Sequence, residues 1–246
     1  MVELTWHDLG RALRLAPKSV LELLKRHPME VFVAGGFIRA AVSGEEINDI
    51  DLFVASKESA KQYAGELLSE HPDWRLIPTD NAITVLGYRY PIQIIHRWVF
   101  SHPINALNSF DFTISRAAFW ADPILVQHEG LPLWKSTCDN RFYPDLAAKR
   151  LIYTSPVREE EAGGSMLRIL KFYQRGYRIP LDSFGSVISR LIAGIDFNNL
   201  PMRPEGHRKP PYTHDEAVAK AVAGLLREVD PEIGPNHVAH LPAEED

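Results

Sequence analysis

Carboxylates are scarce inside apolar strands, yet the segment 47–55, INDIDLFVA, holds two of them. Its β-branched and aromatic residues predict a strand over Ile50–Ala55. Side chains two apart in a strand share a face. Asp49 and Asp51 are therefore expected to project together, while Ile50, Leu52 and Val54 turn to the core. Asp111 stands between Phe110 and Phe112 in the same apolar-acid-apolar manner, at the start of a strand expected over Phe110–Phe119. Carboxylates gathered at a sheet end repel each other strongly unless a cation sits between them. Oxygen-only ligation favours Mg²⁺ or Mn²⁺. Two ions held in this way polarise a phosphoryl group and activate an attacking hydroxyl. Asp49, Asp51 and Asp111 are thus the candidate metal ligands and catalytic acids, with Asp111 either a ligand or the carboxylate on the base side.

The segment upstream matches that chemistry. Glu30–Ala34, EVFVA, reads as a strand, Gly35-Gly36 breaks it, and Phe37–Val42 reads as a short helix. A glycine pair at a strand-to-helix turn lets backbone N–H groups approach phosphate oxygens, and the helix N-terminus adds its partial positive charge. Arg39, one turn into that helix, is placed to contact the same phosphates. Gly35, Gly36 and Arg39 are the candidate nucleotide-binding residues, and twelve residues separate Gly36 from Asp49.

Other classes are excluded by composition. The chain has 246 residues, 45% hydrophobic and 24% charged, which is ordinary globular composition. A single cysteine, Cys138, leaves no disulfide framework and no CxxC motif. The first residues carry no secretory apolar run and no segment is apolar enough to span a membrane, so a cytoplasmic protein is expected. The net charge of −5 argues against non-specific coating of nucleic acid. Residues 149–209 are nevertheless locally basic, with eleven Lys/Arg against six Asp/Glu.

Along the chain, helices are expected over Trp6–Leu15 (capped by Thr5), Pro17–His27 and Lys57–Glu70. Strands are expected over Trp74–Ile77, Ala82–Leu86, Ile92–His96 and Ile124–Gln127, the last before a turn at Gly130. The pattern then turns helical, over Pro144–Tyr153, Ser165–Tyr177, Ser183–Ile195 and Thr213–Val229. Met166, Ile169, Leu170 and Tyr173 form the apolar face expected of Ser165–Tyr177. Arg168, Lys171 and Arg175 fall on the opposite face, where they are candidates to line a triphosphate or RNA backbone. His96 and His102 flank Trp98, but no acid or cysteine follows at ligand spacing.

Ala34-Gly35-Gly36, the spacer and Asp49-Ile50-Asp51-Leu52 resemble the signature of the DNA polymerase β-type nucleotidyltransferase superfamily, and FDFTIS over residues 110–115 resembles its third carboxylate motif. GGFIR, DFTISRAAF and SMLRILKFYQRGYRIP further resemble the head and neck of bacterial CCA-adding enzymes and poly(A) polymerases. The resemblance implies an α+β fold: a nucleotidyltransferase-type mixed β-sheet head with flanking helices over residues 1–140, then a small helical neck and body over 141–230 and a flexible tail over 231–246. It implies transfer of NMP from an NTP to an acceptor hydroxyl with Mg²⁺ or Mn²⁺, releasing pyrophosphate, most naturally onto an RNA 3′ end. The alternatives are a nucleotidyltransferase that modifies a protein, a tRNA or a small molecule, and a silent nucleotide-binding module. Ser109 and Phe110 stand where that branch carries two arginines. Asp182 and Arg190 lie about 12 Å apart along a helix axis, too far to clamp one base edge. Relaxed or purine-biased nucleotide use is therefore expected, with Tyr173 or Tyr177 as a stacking surface.

Overall fold

The computed structural model describes residues 1–126, 134–156, 162–205, 207 and 209–229. The chain divides into two compact units, Met1–Pro156 and Val157–Asp246.

The first unit opens with helices α1 (Trp6–Leu15) and α2 (Lys18–Arg26). Thr5 caps α1, its hydroxyl accepting the Asp8 N–H at 3.2 Å. Strand β1 (Val31–Ala34), helix α3 (Gly36–Ser43), strand β2 (Ile50–Val54) and helix α4 (Lys57–Glu70) follow. Next come strands β3 (Arg75–Pro78), β4 (Ala82–Leu86) and β5 (Ile92–Ile95), then helix α5 (Pro103–Leu107). The unit closes with strand β6 (Ala117–Ala121), helix α6 (Pro123–Val126), strand β7 (Trp134–Cys138) and helix α7 (Phe142–Ala147).

The strands form one mixed seven-stranded sheet in the order β3-β4-β5-β2-β1-β6-β7. Among the described strands only β2 and β5 pair in parallel; α4 and the β3–β4 hairpin make the crossover that a parallel pair requires. The antiparallel register sets Val33 opposite Leu52 and Ala34 opposite Ala118. The end of β1, the start of β2 and the start of β6 therefore meet at one end of the central strands. Both faces of the central strands are covered. Phe32, Ala34 and Phe53 pack with Ala106, Leu107, Ala118 and Trp120 on one face, and Val31, Val33, Ile50 and Leu52 on the other are fully buried.

Two expected strands are corrected. The strand expected from Phe110 begins only at Ala117, because Thr113–Ser115 turns as a short 3-10 helix and Phe112 makes an isolated bridge to Tyr153. The segment from Ile124 is helical through Val126: Pro123 presets the first turn and the Asp122 carboxylate accepts the Ile124 N–H at 2.8 Å. Gln127 and the Gly130 turn lie outside the described residues, as does the tail over 231–246.

Residues Val2 to Thr5 strap the outer edge of β7. Val2 exchanges two backbone hydrogen bonds with Cys138, at 2.9 and 2.7 Å. The Leu4 N–H donates to Ser136 Oγ at 3.2 Å and the Thr5 N–H to the Tyr143 hydroxyl at 3.0 Å. Cys138 is buried beneath, its thiol pushed up to about 12 by burial and then by Asp139.

The second unit contains α8 (Ala162–Gln174), α9 (Leu181–Ala193) and α10 (His214–Val229). Thr213 and Glu216 cap α10 reciprocally, each backbone N–H donating to the other's side chain. The apolar face of α8 differs from the expected one: Leu167, Ile169 and Phe172 are buried, whereas Leu170 and Tyr173 are more than half exposed. Gly163 supplies the reason. A Cβ there would lie 2.7 Å from the Leu225 carbonyl oxygen, so α8 and α10 approach backbone to backbone and fix which side of α8 is covered.

Candidate active site

Gly35 turns the chain from β1 into α3 with φ +86° and ψ −133°, a conformation that only glycine adopts without strain. Its N–H donates to the Ala117 carbonyl at 2.9 Å, tying the turn to the start of β6. A Cβ at Gly35 would stand 3.3 Å from the Phe110 ring and 3.9 Å from Asp51 Oδ2. Turn, ring and carboxylate thus close on one point. Gly36 opens α3, and the first amide groups of a helix have no partner within it, so these donors lie at the same end of the central strands.

Asp51 lies inside β2 and Asp49 one residue before the strand begins. Period-two alternation puts Asp51 on the face of Phe53. The Phe110 ring meets Phe53 edge to face at 5.8 Å. Asp51 stands opposite Gln93 in the parallel register, and the Gln93 amide donates to Asp49 Oδ2 at 3.1 Å. Burial, and then the charge of Asp49, push the Asp51 carboxyl up to about 8, against a downward pull from Arg39.

Arg39 is 6% exposed. Its Nε donates to Glu45 at 3.3 Å, and Lys149 Nζ meets the other oxygen of Glu45 at 2.9 Å. The two terminal nitrogens of Arg39 lie 3.8 and 4.0 Å from the point where a Gly36 Cβ would stand. The guanidinium is thus held by Glu45 at one end and presented beside the α3 N-terminus at the other. Neither Gln93 nor Glu45 was singled out in the sequence. Gln93 carried a usable signal, since it is a polar residue between Ile92 and Ile94 just as Asp51 is between Ile50 and Leu52.

The donor set suits a hard divalent cation. Mg²⁺ commonly takes one or two carboxylates and completes its shell with water and substrate phosphate. A cation between Asp49 and Asp51 would remove the repulsion that raises Asp51. Among the described residues no group of three His, Cys, Asp or Glu is assembled as a metal site.

Asp111 is 6% exposed, and its backbone carbonyl accepts from the Thr154 N–H at 2.8 Å. Just beyond it, the Thr113 hydroxyl donates to Asp145 at 2.7 Å. Asp145 is fully buried and also takes hydrogen bonds from Arg141 and Arg150. This pins the Asp111 segment to α7. His102 is a helix cap, its Nδ1 accepting the Ile104 N–H at 3.1 Å, and His96 is buried in β5's extension with Nε2 unbonded. In the second unit Arg168 is part-buried and Lys171 exposed on α8, and Arg175 lies exposed in the turn just past its end. Tyr177 is fully buried against Phe172 and offers no stacking face, whereas Tyr173 is open and carries Arg178 over its ring at 4.2 Å.

The model of the Gabija anti-defense 2 family matches residues 11–149, more than half of the chain. The chain belongs to that family. The Gabija anti-defense 2 protein of Bacillus phage SPbetaL7 is 31% identical over 102 residues, 42% of this chain and 25% of that protein. The chain thus spans about a quarter of the length of the curated relative it matches. The Gabija anti-defense 2 match takes in Gly35, Gly36, Arg39, Asp49, Asp51 and Asp111, and none of Arg168, Lys171 or Arg175. Among solved structures, the Thermotoga maritima CCA-adding enzyme complexed with tRNA superimposes with a TM-score of 0.54 at 20% identity, over 76% of this chain and 45% of that one. A CCA-adding enzyme in complex with ATP gives 0.56 at 19% identity, over 79% and 47%. A tRNA nucleotidyltransferase with a primer tRNA and an incoming ATP analogue gives 0.52 at 19%, over 71% and 50%. At these identities the likeness is one of fold: this Gabija anti-defense 2 family chain has a nucleotidyltransferase-type fold. No helix among the described residues is long and apolar enough to cross a membrane.

Proposed function

We propose that this chain transfers a nucleotidyl group from an NTP to an acceptor hydroxyl and releases pyrophosphate. One juxtaposition carries the reading. The Asp49–Asp51 pair, with Asp51 raised to about 8, faces the Gly35 turn and the Arg39 guanidinium at one end of the central strands. Keeping two repelling acids beside a phosphate-suited helix end has a physical use if a cation and a triphosphate occupy the space between them.

In this reading the α3 amides and Arg39 bind the β- and γ-phosphates, and Glu45 keeps the guanidinium aimed at them. Asp49 and Asp51 hold Mg²⁺ or Mn²⁺, which supplies polarisation of the α-phosphoryl group when bound. The acceptor oxygen bonds to the α-phosphorus as the bond to the pyrophosphate oxygen breaks. Asp111 is the candidate to take the hydroxyl proton, held in place through Thr113 and Asp145. Arg168, Lys171 and Arg175 are proposed to bind the backbone of an RNA acceptor, and the cytoplasm is the proposed site of action. An RNA 3′ end is the favoured acceptor, because solved proteins of this fold carry tRNA. The family's description as anti-defence favours a second acceptor class, a component of the opposed defence system.

The test is incubation with each α-labelled NTP and Mg²⁺ in the presence of total RNA or of a protein extract, with Asp51→Asn as control. Label entering RNA in a manner that needs Asp51 supports the first acceptor, and label entering protein supports the second. Pyrophosphate release and labelling that are equal in the control would refute nucleotidyl transfer at this site.

A further inference from the structure

The sheet is closed at one edge and open at the other. At β7 the Val2–Thr5 strap takes up the outward backbone groups of Cys138 and bonds the Ser136 hydroxyl. At β3, all four residues Arg75–Pro78 are exposed and no strand among the described residues lies beyond. The ladder says which groups are free there. Thr79 N–H donates to the Ala82 carbonyl at 2.8 Å, and the register continues with Pro78 opposite Ile83, Ile77 opposite Thr84 and Leu76 opposite Val85. Hydrogen-bonded and non-bonded pairs alternate in an antiparallel ladder. Leu76 and Pro78 are therefore the non-bonded positions. The Leu76 N–H and C=O and the Pro78 C=O point away from β4, toward whatever lies beside the sheet.

A groove of about 380 Å³ runs beside that edge. Leu76, Pro78 and Ile83 give it an apolar floor with Ala64, and Lys57 and Lys61 stand on the α4 side. The two lysines are four residues apart and so share a helix face. Lys57 is the first residue of α4, where the helix dipole is itself positive, so its charge is poorly placed for stability. Neither lysine has a carboxylate partner among the described residues. Asp80 is the one acid in the lining, which leaves the groove net positive.

We propose that the β3 edge and this groove bind an acidic, extended segment of a partner protein, which adds to the sheet as a further strand. Main-chain bonds to Leu76 and Pro78 supply affinity, and alternate side chains enter the groove and reach Lys57 and Lys61. A second copy of this chain does not fit, because paired β3 edges would bring two sets of lysines to one seam and would face each other with the donor-less Pro78. The site is independent of the chemistry at Asp51.

The test uses the full chain and a fluorescent ten-residue peptide of alternating glutamate and valine, with its lysine-valine counterpart as comparison. Anisotropy should show the acidic peptide bound and the basic one not. Lys57→Glu with Lys61→Glu should weaken the acidic peptide tenfold or more and admit the basic one. Leu76→Pro removes the outward N–H while every β3–β4 bond remains, so the variant should stay folded and lose affinity. Hydrogen exchange at the Leu76 amide should slow in the complex. Absence of binding, equal binding of both peptides, or acidic binding that survives both Leu76→Pro and N-methylation of the peptide would overturn the proposal.

Discussion

The two glycines at the β1–α3 turn should respond to a single methyl group in opposite ways. At Gly35, alanine would be forced into φ +86° and ψ −133°, a region that costs a residue with a Cβ about 1–3 kcal/mol. The added carbon would also stand 3.3 and 3.4 Å from two atoms of the Phe110 ring. That ring is held edge to face on Phe53 and packs against the core around Phe32 and Trp120, so it yields little, and overpacking adds roughly 1 kcal/mol. Gly35→Ala should therefore lose about 2–4 kcal/mol, a large part of the stability of a typical domain. At Gly36 the added carbon meets only the Arg39 guanidinium, at ordinary contact distance. In a helix alanine gains up to about 1 kcal/mol over glycine, so Gly36→Ala should fold at least as well as the parent. Its methyl would instead crowd the α3 amides and weaken NTP binding. All five tryptophans lie in the first unit, so their fluorescence in urea reports this unit alone. With a slope of roughly 2 kcal/mol per molar urea, Gly35→Ala should move the midpoint down by about 1–2 M. An unmoved midpoint for Gly35→Ala, or an equal fall for Gly36→Ala, would refute the account of the turn.

Asp51→Asn should raise the melting temperature of metal-free protein by relieving the carboxylate pair, and should abolish any stabilisation by Mg²⁺; a wild-type gain with Mg²⁺ that the variant shares would count against the pair as ligands. The same variant should slow nucleotidyl transfer a hundredfold or more, measured by pyrophosphate release. For Asp145, burial raises the carboxyl but the hydrogen bonds from Arg141 and Thr113 and the two arginine charges outweigh it, leaving it below its ordinary 3.8. A depressed carboxyl stabilises the fold above its unfolded value and stops doing so as pH falls through its folded value. The melting temperature of the parent should accordingly exceed that of Asp145→Asn at pH 6, with the gap closing as pH drops below 3.8. Gly163→Ala must push α8 off the Leu225 backbone and should destabilise the second unit by about 1–3 kcal/mol, seen as faster amide exchange in α8 and α10 with the tryptophan transition unchanged.

The β1–α3–β2 stretch was readable in the sequence because each of its signals is local: a run of buried residues, a glycine needed for positive φ, and acids alternating with isoleucine and leucine. The strand at Trp134–Cys138 was not readable, since Lys135, Ser136 and Thr137 look like a surface segment. Ser136 and Thr137 are buried because residues more than 130 positions away, Val2 and Leu4, cover them. Helix α5 did leave a signal in Pro103 at its first turn, but five residues are too few to show a period. Asp111 was correctly marked as an acid in apolar surroundings, yet its strand was misplaced. The Thr113–Asp145 bond that turns the chain there joins residues 32 apart, and no local pattern encodes it. The apolar face of α8 failed for a related reason. Leu170 and Tyr173 satisfy helical periodicity as well as Leu167 and Phe172 do, and the choice is made by a glycine that lets a distant helix come close.

The strap on β7 bears on how the first unit is made. Thr5 meets Tyr143 and Leu4 meets Ser136, contacts that span 138 and 132 residues of chain. Closing loops of that length is slow compared with forming the local β1–α3–β2 unit. During synthesis Val2–Thr5 must wait until α7 has left the ribosome before they can dock. Until then the outer edge of β7, once formed, presents unpaired backbone groups to the other nascent chains around it. Bulky fusions placed just ahead of Val2 should therefore cost soluble yield rather than activity per folded molecule.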